Sequence, residues 1–234
     1  MGFCGLHFNL LVNKVFGPRW ASLIFSTAYA FMGFSVAYFG FTIYYFNILI
    51  LPLIILGLYN MVRTGKISYL YIITLFLSVL SNYYMGYMTC LFSLLFFLYL
   101  FLSEYSLIKS EKRIGKTIGV FAVSSVLSVG LLAWLLFAVI ESLKGQKSSG
   151  LSLNLSGNFR FADVFSGFYS TAFHGNISDG LPIIYCGMTT VVFLLLYFMN
   201  RKIDFKEKIY SAGILLCMLF SFWIDAANVA WHGF

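Results

Sequence analysis

The chain has 234 residues, 61% hydrophobic, 20% aromatic and only 10% charged, with a net charge of +7. Soluble domains run at about 45–50% apolar and about 25% charged, so this chain has too few polar residues to coat a water-exposed surface. A mean hydropathy of +0.90 agrees, and together the values exclude a water-soluble domain, a disordered chain, a coiled coil and a disulfide-rich secreted scaffold, leaving an integral membrane protein.

A helix that crosses a bilayer needs about 20 mostly apolar residues. In chain order, an apolar remnant at 1–13 comes first, too short to cross and without the basic start and cleavage site of a signal peptide. Seven spans follow, at 20–38, 42–62, 68–83, 85–103, 116–140, 181–199 and 208–226. Pro52 falls inside the second and is expected to bend it. The fold class predicted is all-α: a polytopic helical bundle of about seven spans, with 1–234 a single transmembrane segment. A multi-span chain that starts mid-helix and stops at Trp231-His232-Gly233-Phe234 is expected to be part of a longer protein.

The basic residues sort by connection. Lys14 and Arg19 lie in the first, Arg63 and Lys66 in the third, Lys109, Lys112, Arg113 and Lys116 in the fifth, and Arg201, Lys202, Lys206 and Lys208 in the seventh. Twelve of the 15 cations thus fall in alternate connections, which the positive-inside rule places in the cytoplasm. The positive charge reports topology, and no nucleic-acid partner is expected. The remaining three, Lys144, Lys147 and Arg160, sit in a long external loop at 141–180.

No Asp, Glu, Lys or Arg occupies the middle of a span, which argues against an ion-coupled transporter, because such groups mark ion and proton pathways. Cys4, Cys90, Cys186 and Cys217 lack any metal-ligand spacing and read as small buried apolar residues. No nucleotide, hydrolase or metalloprotease motif is present, so no cofactor is implied. His174, His232, Asp179 and Asp225 have no spacing that demands a metal, and none is assigned.

The external ends of the spans gather Tyr38, Tyr44, Tyr45, Asn47, Asn82, Tyr83, Tyr84 and Tyr87. Two readings stand. One is an aromatic belt at the membrane interface. The other is a carbohydrate or lipid-phosphate site, with flat rings against sugar faces and amides on hydroxyls. Asn82-Tyr83-Tyr84 reads as a very short turn that could line an outward-facing pocket. Tyr71, on the cytoplasmic half of its span, serves as a control: its alanine variant is expected to leave the rate of any activity at that site almost unchanged. In the external loop, Phe161, Phe165 and Phe168 recur at helical spacing, which predicts a short amphipathic helix on the outer leaflet. Arg160 either snorkels to headgroups or holds a lipid-linked phosphate. Asn154 and Asn176 each open an Asn-x-Ser triplet, a short pattern for glycosylation.

Several segments carry a family resemblance. They are Phe25-Ser-Thr-Ala-Tyr-Ala-Phe-Met-Gly-Phe34, Asn47-Ile-Leu-Ile-Leu-Pro-Leu53, Ser81-Asn-Tyr-Tyr-Met-Gly-Tyr-Met88, Gly180-Leu-Pro-Ile-Ile-Tyr-Cys-Gly187, Lys206-Glu-Lys208 and Trp231-His-Gly-Phe234. In that order they resemble the YfhO-like family of bacterial multi-pass membrane proteins. The resemblance implies a GT-C-like glycosyltransferase in the plasma membrane. Such an enzyme moves sugar from a polyprenyl-phosphate donor to a cell-surface polymer such as teichoic acid. It also implies a catalytic aspartate in an external loop upstream of Met1, so residues 1–234 alone are expected to be inactive. Where relatives read Trp-Leu-Asp, this chain has Tyr45-Phe46-Asn47, and an amide is no base at neutral pH. The site residues it suggests are Asn82, Tyr83, Tyr84, Tyr87 and Asn47, with Arg160, Asp179 and His232; membrane lipids are further partners. The rival reading is a non-catalytic module, a flippase-like transporter of lipid-linked sugars or an assembly scaffold.

Overall fold

A computed structural model describes residues 1–37, 40, 42–144 and 187–232. Among these residues the regular structure is helical throughout: α1 (Gly2–Phe16), α2 (Trp20–Ala30), α3 (Gly33–Ala37), α4 (Thr42–Thr64), α5 (Tyr69–Ser81), α6 (Tyr83–Ser103), α7 (Tyr105–Ile108), α8 (Glu111–Gly130), α9 (Ala133–Lys144), α10 (Met188–Met199), α11 (Phe205–Trp223) and α12 (Asp225–His232). Among them α4 and α6 are long and apolar enough to cross a membrane, and α8 with α9, bent by 66° at their junction, make a third passage if taken as one.

Each predicted span has a helical counterpart, but the boundaries differ for local reasons. The stretch at 20–38 breaks after Ala30 into α2 and α3. The remnant at 1–13 is a full helix running on to Phe16, stopped by Gly17 at a φ of 80°, a conformation that only glycine adopts cheaply. α5 and α10 are apolar but have only 13 and 12 residues, about 20 Å or less at 1.5 Å per residue. Residues 181–186 of the sixth span lie outside the described residues. α11 starts earlier than expected because Asp204 caps it, its carboxylate accepting from the Lys206 N–H. Pro52 sits within α4, which runs on unbroken around it.

The described residues form two compact units. The first takes in 1–45 and 187–230. Within it α1 and α2 pack as a hairpin, with Phe8 stacked on Tyr29 at 4.6 Å. Gly5 lets the helices approach, since a Cβ there would lie 3.2 Å from the Ser26 carbonyl oxygen. Phe25 of α2 meets Phe193 of α10 edge-on, and the Tyr197 hydroxyl is 2.8 Å from Ser211 Oγ, tying α10 to α11.

The second unit takes in 46–144 and 231–232, with α5 at its centre. Tyr71, Ile72, Thr74, Leu75, Ser78 and Val79 of α5 are all buried. Two glycines set the spacing around it: Gly57 of α4 lies against the Tyr71 backbone, and Gly86 of α6 against that of Val79. Small residues at such crossings are the usual device in lipid, where close packing replaces the hydrophobic effect as the cohesive force. α8 closes the other side. Phe121 stacks on Phe97 of α6 at 4.0 Å, and Ser125 meets the Tyr71 hydroxyl at 2.9 Å. Tyr71 is therefore a buried centrepiece, at 1% exposure. Elsewhere Val126, Trp134 and Phe137 stand exposed, as lipid-facing side chains do. The cysteines also divide: Cys4 is buried as expected, whereas Cys217 is exposed on α11.

Candidate functional site

The second unit has two chemically distinct ends. At one, Arg63 is held by three contacts. Its Nη1 donates to the Tyr59 hydroxyl at 2.5 Å, its Nε lies 3.7 Å from Glu104 Oε1, and its carbonyl accepts from Arg113 Nη2 at 2.6 Å. That group ties the ends of α4, α6 and α8 together where the sequence concentrates its cations. Half-exposed as the ion pair is, it adds no more than about 1 kcal/mol.

The opposite end holds Asn47, Ser78, Ser81 and Asn82 and the first turns of α6. The sequence reading makes Asn82-Tyr83-Tyr84 a turn. The structure corrects this: Asn82 alone makes the turn, and Tyr83 and Tyr84 already belong to α6. Asn82 ends α5 and caps α6, its Oδ1 accepting from the N–H groups of Tyr84 and Met85 at 3.0 and 3.2 Å. An asparagine is favoured here because a short side-chain acceptor satisfies the orphan donors of a helix start.

Asn47 is equally committed. It is buried, its Oδ1 accepts from Ser78 Oγ, and its Nδ2 donates to Ser81 Oγ at 3.2 Å. The side chain clasps α4 to α5.

What remains presented outward is aromatic. Tyr83 and Tyr87 are 39% and 41% exposed. Standing four residues apart on α6, they place two rings on one helix face, one turn apart. Tyr84 beside them is half-buried. The pair presents two flat aromatic faces, suited to packing against hydroxylated rings. Glu141, exposed on the last turn of α9, is an acidic residue of this unit outside the Arg63 group that the sequence reading passed over. Its predicted span stops at residue 140, one residue too early.

Arg160, Asp179, His174, Tyr38, Asn154, Asn176 and the amphipathic helix around Phe161–Phe168 lie outside the described residues. His232 ends α12, with only its backbone described. Among the described residues no three His, Cys, Asp or Glu side chains gather to hold a metal.

The assembly of apolar helices, a cation-rich end and a polar aromatic end agrees with a family model for the bacterial membrane protein YfhO, which matches residues 1–234. The chain belongs to the YfhO family of bacterial membrane proteins. No curated protein and no solved structure matches it. Family membership places the chain among membrane proteins, and the Asn82–Tyr87 segment, one of those that carry the resemblance, forms the polar aromatic end of the second unit.

Proposed function

We propose that this YfhO-family chain is the membrane part of a GT-C-like glycosyltransferase that takes sugar from a polyprenyl-phosphate donor to a cell-surface glycopolymer. The observation that carries the reading is the exposed Tyr83–Tyr87 pair beside the Asn82 cap, at the end of the second unit opposite Arg63, Glu104 and Arg113. Rings so placed pack on a sugar, while a carboxylate elsewhere serves as base and cations stabilise the departing phosphate. Asn82 and Asn47 then act by holding helix ends in register. Arg160, Asp179 and His232 remain proposed contacts for the phosphate and sugar. The specific test is sugar transfer by the full-length protein with a polyprenyl-phosphate sugar. Tyr83→Ala with Tyr87→Ala is expected to lower turnover at least about tenfold, some 1.4 kcal/mol of transition-state stabilisation. Normal membrane abundance is expected, because neither ring belongs to the buried face of α6. Unchanged turnover, or a loss that tracks abundance, would reduce the pair to an interfacial belt.

The same reading has the chain cross the bacterial plasma membrane about seven times, with the Arg63 end in the cytoplasm. In a cysteine-free background, Ser148→Cys should react with an impermeant thiol reagent on intact cells, and Ser110→Cys should not. The opposite pattern inverts the topology and removes the donor site from the outer face. A non-catalytic module for lipid-linked sugars is the second reading. It is favoured by Asn47, whose amide is spent on Ser78 and Ser81 at the position where relatives read aspartate. Sugar binding without transfer by the full-length protein would select it.

A further inference from the structure

The first unit contains a cleft of about 350 Å³ lined by Asn9, Asn13, Pro18, Arg19, Trp20 and Leu23. Its volume lies within the roughly 300–1,000 Å³ of small-ligand clefts. Three independent features converge on it. The first is a pair of unsatisfied amides. Asn13 Nδ2 donates to Asn9 Oδ1 at 2.7 Å, which leaves Asn9 Nδ2 and Asn13 Oδ1 buried with no hydrogen-bond partner. Exchanging oxygen and nitrogen in both amides merely exchanges which residue offers the donor. One buried donor and one buried acceptor on neighbouring turns of α1 are therefore left without a partner, an arrangement that native proteins rarely leave unfilled.

The second feature is positive charge at the α1–α2 connection. Arg19 is exposed at the cleft, and it is the N-cap of α2 without supplying a side-chain cap. No acidic residue stands in the first turn of α2, so the backbone N–H groups there add their share of the helix dipole to the guanidinium. Lys14, in the last turn of α1, adds charge to the same α1–α2 connection. The third feature is the apolar side. Leu23 lines the cleft and Trp20, 85% exposed, flanks it, as a tryptophan at headgroup level does.

We propose that this cleft binds the head of an anionic glycerophospholipid. The phosphodiester lies on Arg19 and the start of α2, a glycerol hydroxyl donates to one asparagine and accepts from the other, and the acyl chains leave past Leu23 and Trp20. A hydroxyl fits the amide pair because it is both donor and acceptor, which neither a phosphate oxygen nor a choline is. Basic pockets between membrane helices take such lipids through the same combination of charge and interface position. The cleft shares no residue with the proposed sugar-transfer site, and the proposal does not depend on that reading.

The test is thermal unfolding of the full chain in detergent, titrated with phosphatidylglycerol, phosphatidylcholine or soluble glycerol 3-phosphate. Phosphatidylglycerol is expected to raise the midpoint, and the other two are not. Arg19→Gln is expected to weaken the phosphatidylglycerol effect at least about tenfold in apparent Kd. Asn9→Leu with Asn13→Leu is expected to do the same while leaving the lipid-free midpoint at or above wild type, since replacing both partners of a half-satisfied pair removes the orphans. If the double variant does not fold, Arg19→Gln alone decides, because its side chain is exposed. Equal stabilisation by phosphatidylcholine, or an undiminished phosphatidylglycerol effect in Arg19→Gln, overturns the proposal. Glycerol 3-phosphate binding as tightly as the lipid overturns it too, and would make the cleft a soluble-phosphate site.

Discussion

Gly86→Val is expected to destabilise the protein by about 3 kcal/mol or more and to deplete folded material in the membrane. A Cβ at position 86 would stand 2.5 Å from Val79 Cα and 3.0 Å from its backbone nitrogen. The obstacle is the main chain of α5, not the tip of a flexible side chain, so relief requires α6 to move away. Separation then forfeits contacts along the whole face of Gly86, Thr89, Ser93, Phe97 and Leu100 that α6 buries. Each atomic contact is worth only about 0.1–0.2 kcal/mol, but they are lost together, and lipid tails compete for the exposed surface on equal terms. Gly57→Val should behave alike, its Cβ falling 2.7 Å from the Tyr71 nitrogen. Gly119→Ala supplies the contrast: nothing lies within 4 Å of its Cβ, so the better helix propensity of alanine leaves stability unchanged or slightly raised. Graded SDS unfolding reads all three. A wild-type midpoint for Gly86→Val would mean that α5 and α6 are not held at this distance.

The helical class and the family were legible in the sequence because both rest on properties that survive without coordinates. Composition decides the solvent, and short strings such as Asn82-Tyr-Tyr-Met-Gly-Tyr87 carry the resemblance. Helix ends were less legible because local chemistry overrides hydropathy there. Asn82 reads as one residue of a turn, yet it compresses the turn to itself by capping α6. Asp204 likewise starts α11 inside a charged stretch. Asn47 reads as a polar residue at a helix end, and only its neighbours Ser78 and Ser81, more than 30 residues away in the chain, reveal a clasp. The amide pair of Asn9 and Asn13 was missed for the same reason. Its spacing of four marks one helix face, but nothing in the sequence says that α2 turns back to roof it. The burial of Tyr71 was not legible because a tyrosine in an apolar run looks the same whether it faces lipid or a neighbouring helix.

Tyr71→Ala is accordingly expected to be severely destabilising, by about 3–5 kcal/mol on the scale of large-to-small core substitutions. The ring is the largest fully buried side chain in the described structure. It lies 6.1 Å from Phe121, which itself stacks on Phe97, so its removal leaves a void where α5, α6 and α8 converge. Packing and hydrogen bonding are separable here. Tyr71→Phe keeps the ring and loses the 2.9 Å contact with Ser125 Oγ. Such interhelical bonds average about 0.6 kcal/mol, at most about 1.7, in membrane proteins. Ser125→Ala should match Tyr71→Phe, and the double variant should cost no more than either alone, since both remove one bond. SDS unfolding of the four proteins measures this. Near-equal losses in Tyr71→Phe and Tyr71→Ala would place the stability in the hydroxyl; a wild-type Tyr71→Ala would take α5 out of the centre of its unit. On the proposed sugar-transfer reading, because the effect is on folding, turnover per folded full-length molecule should stay constant in Tyr71→Ala while total activity falls. The opposite split is expected of Tyr83→Ala with Tyr87→Ala, where folded protein persists and turnover drops.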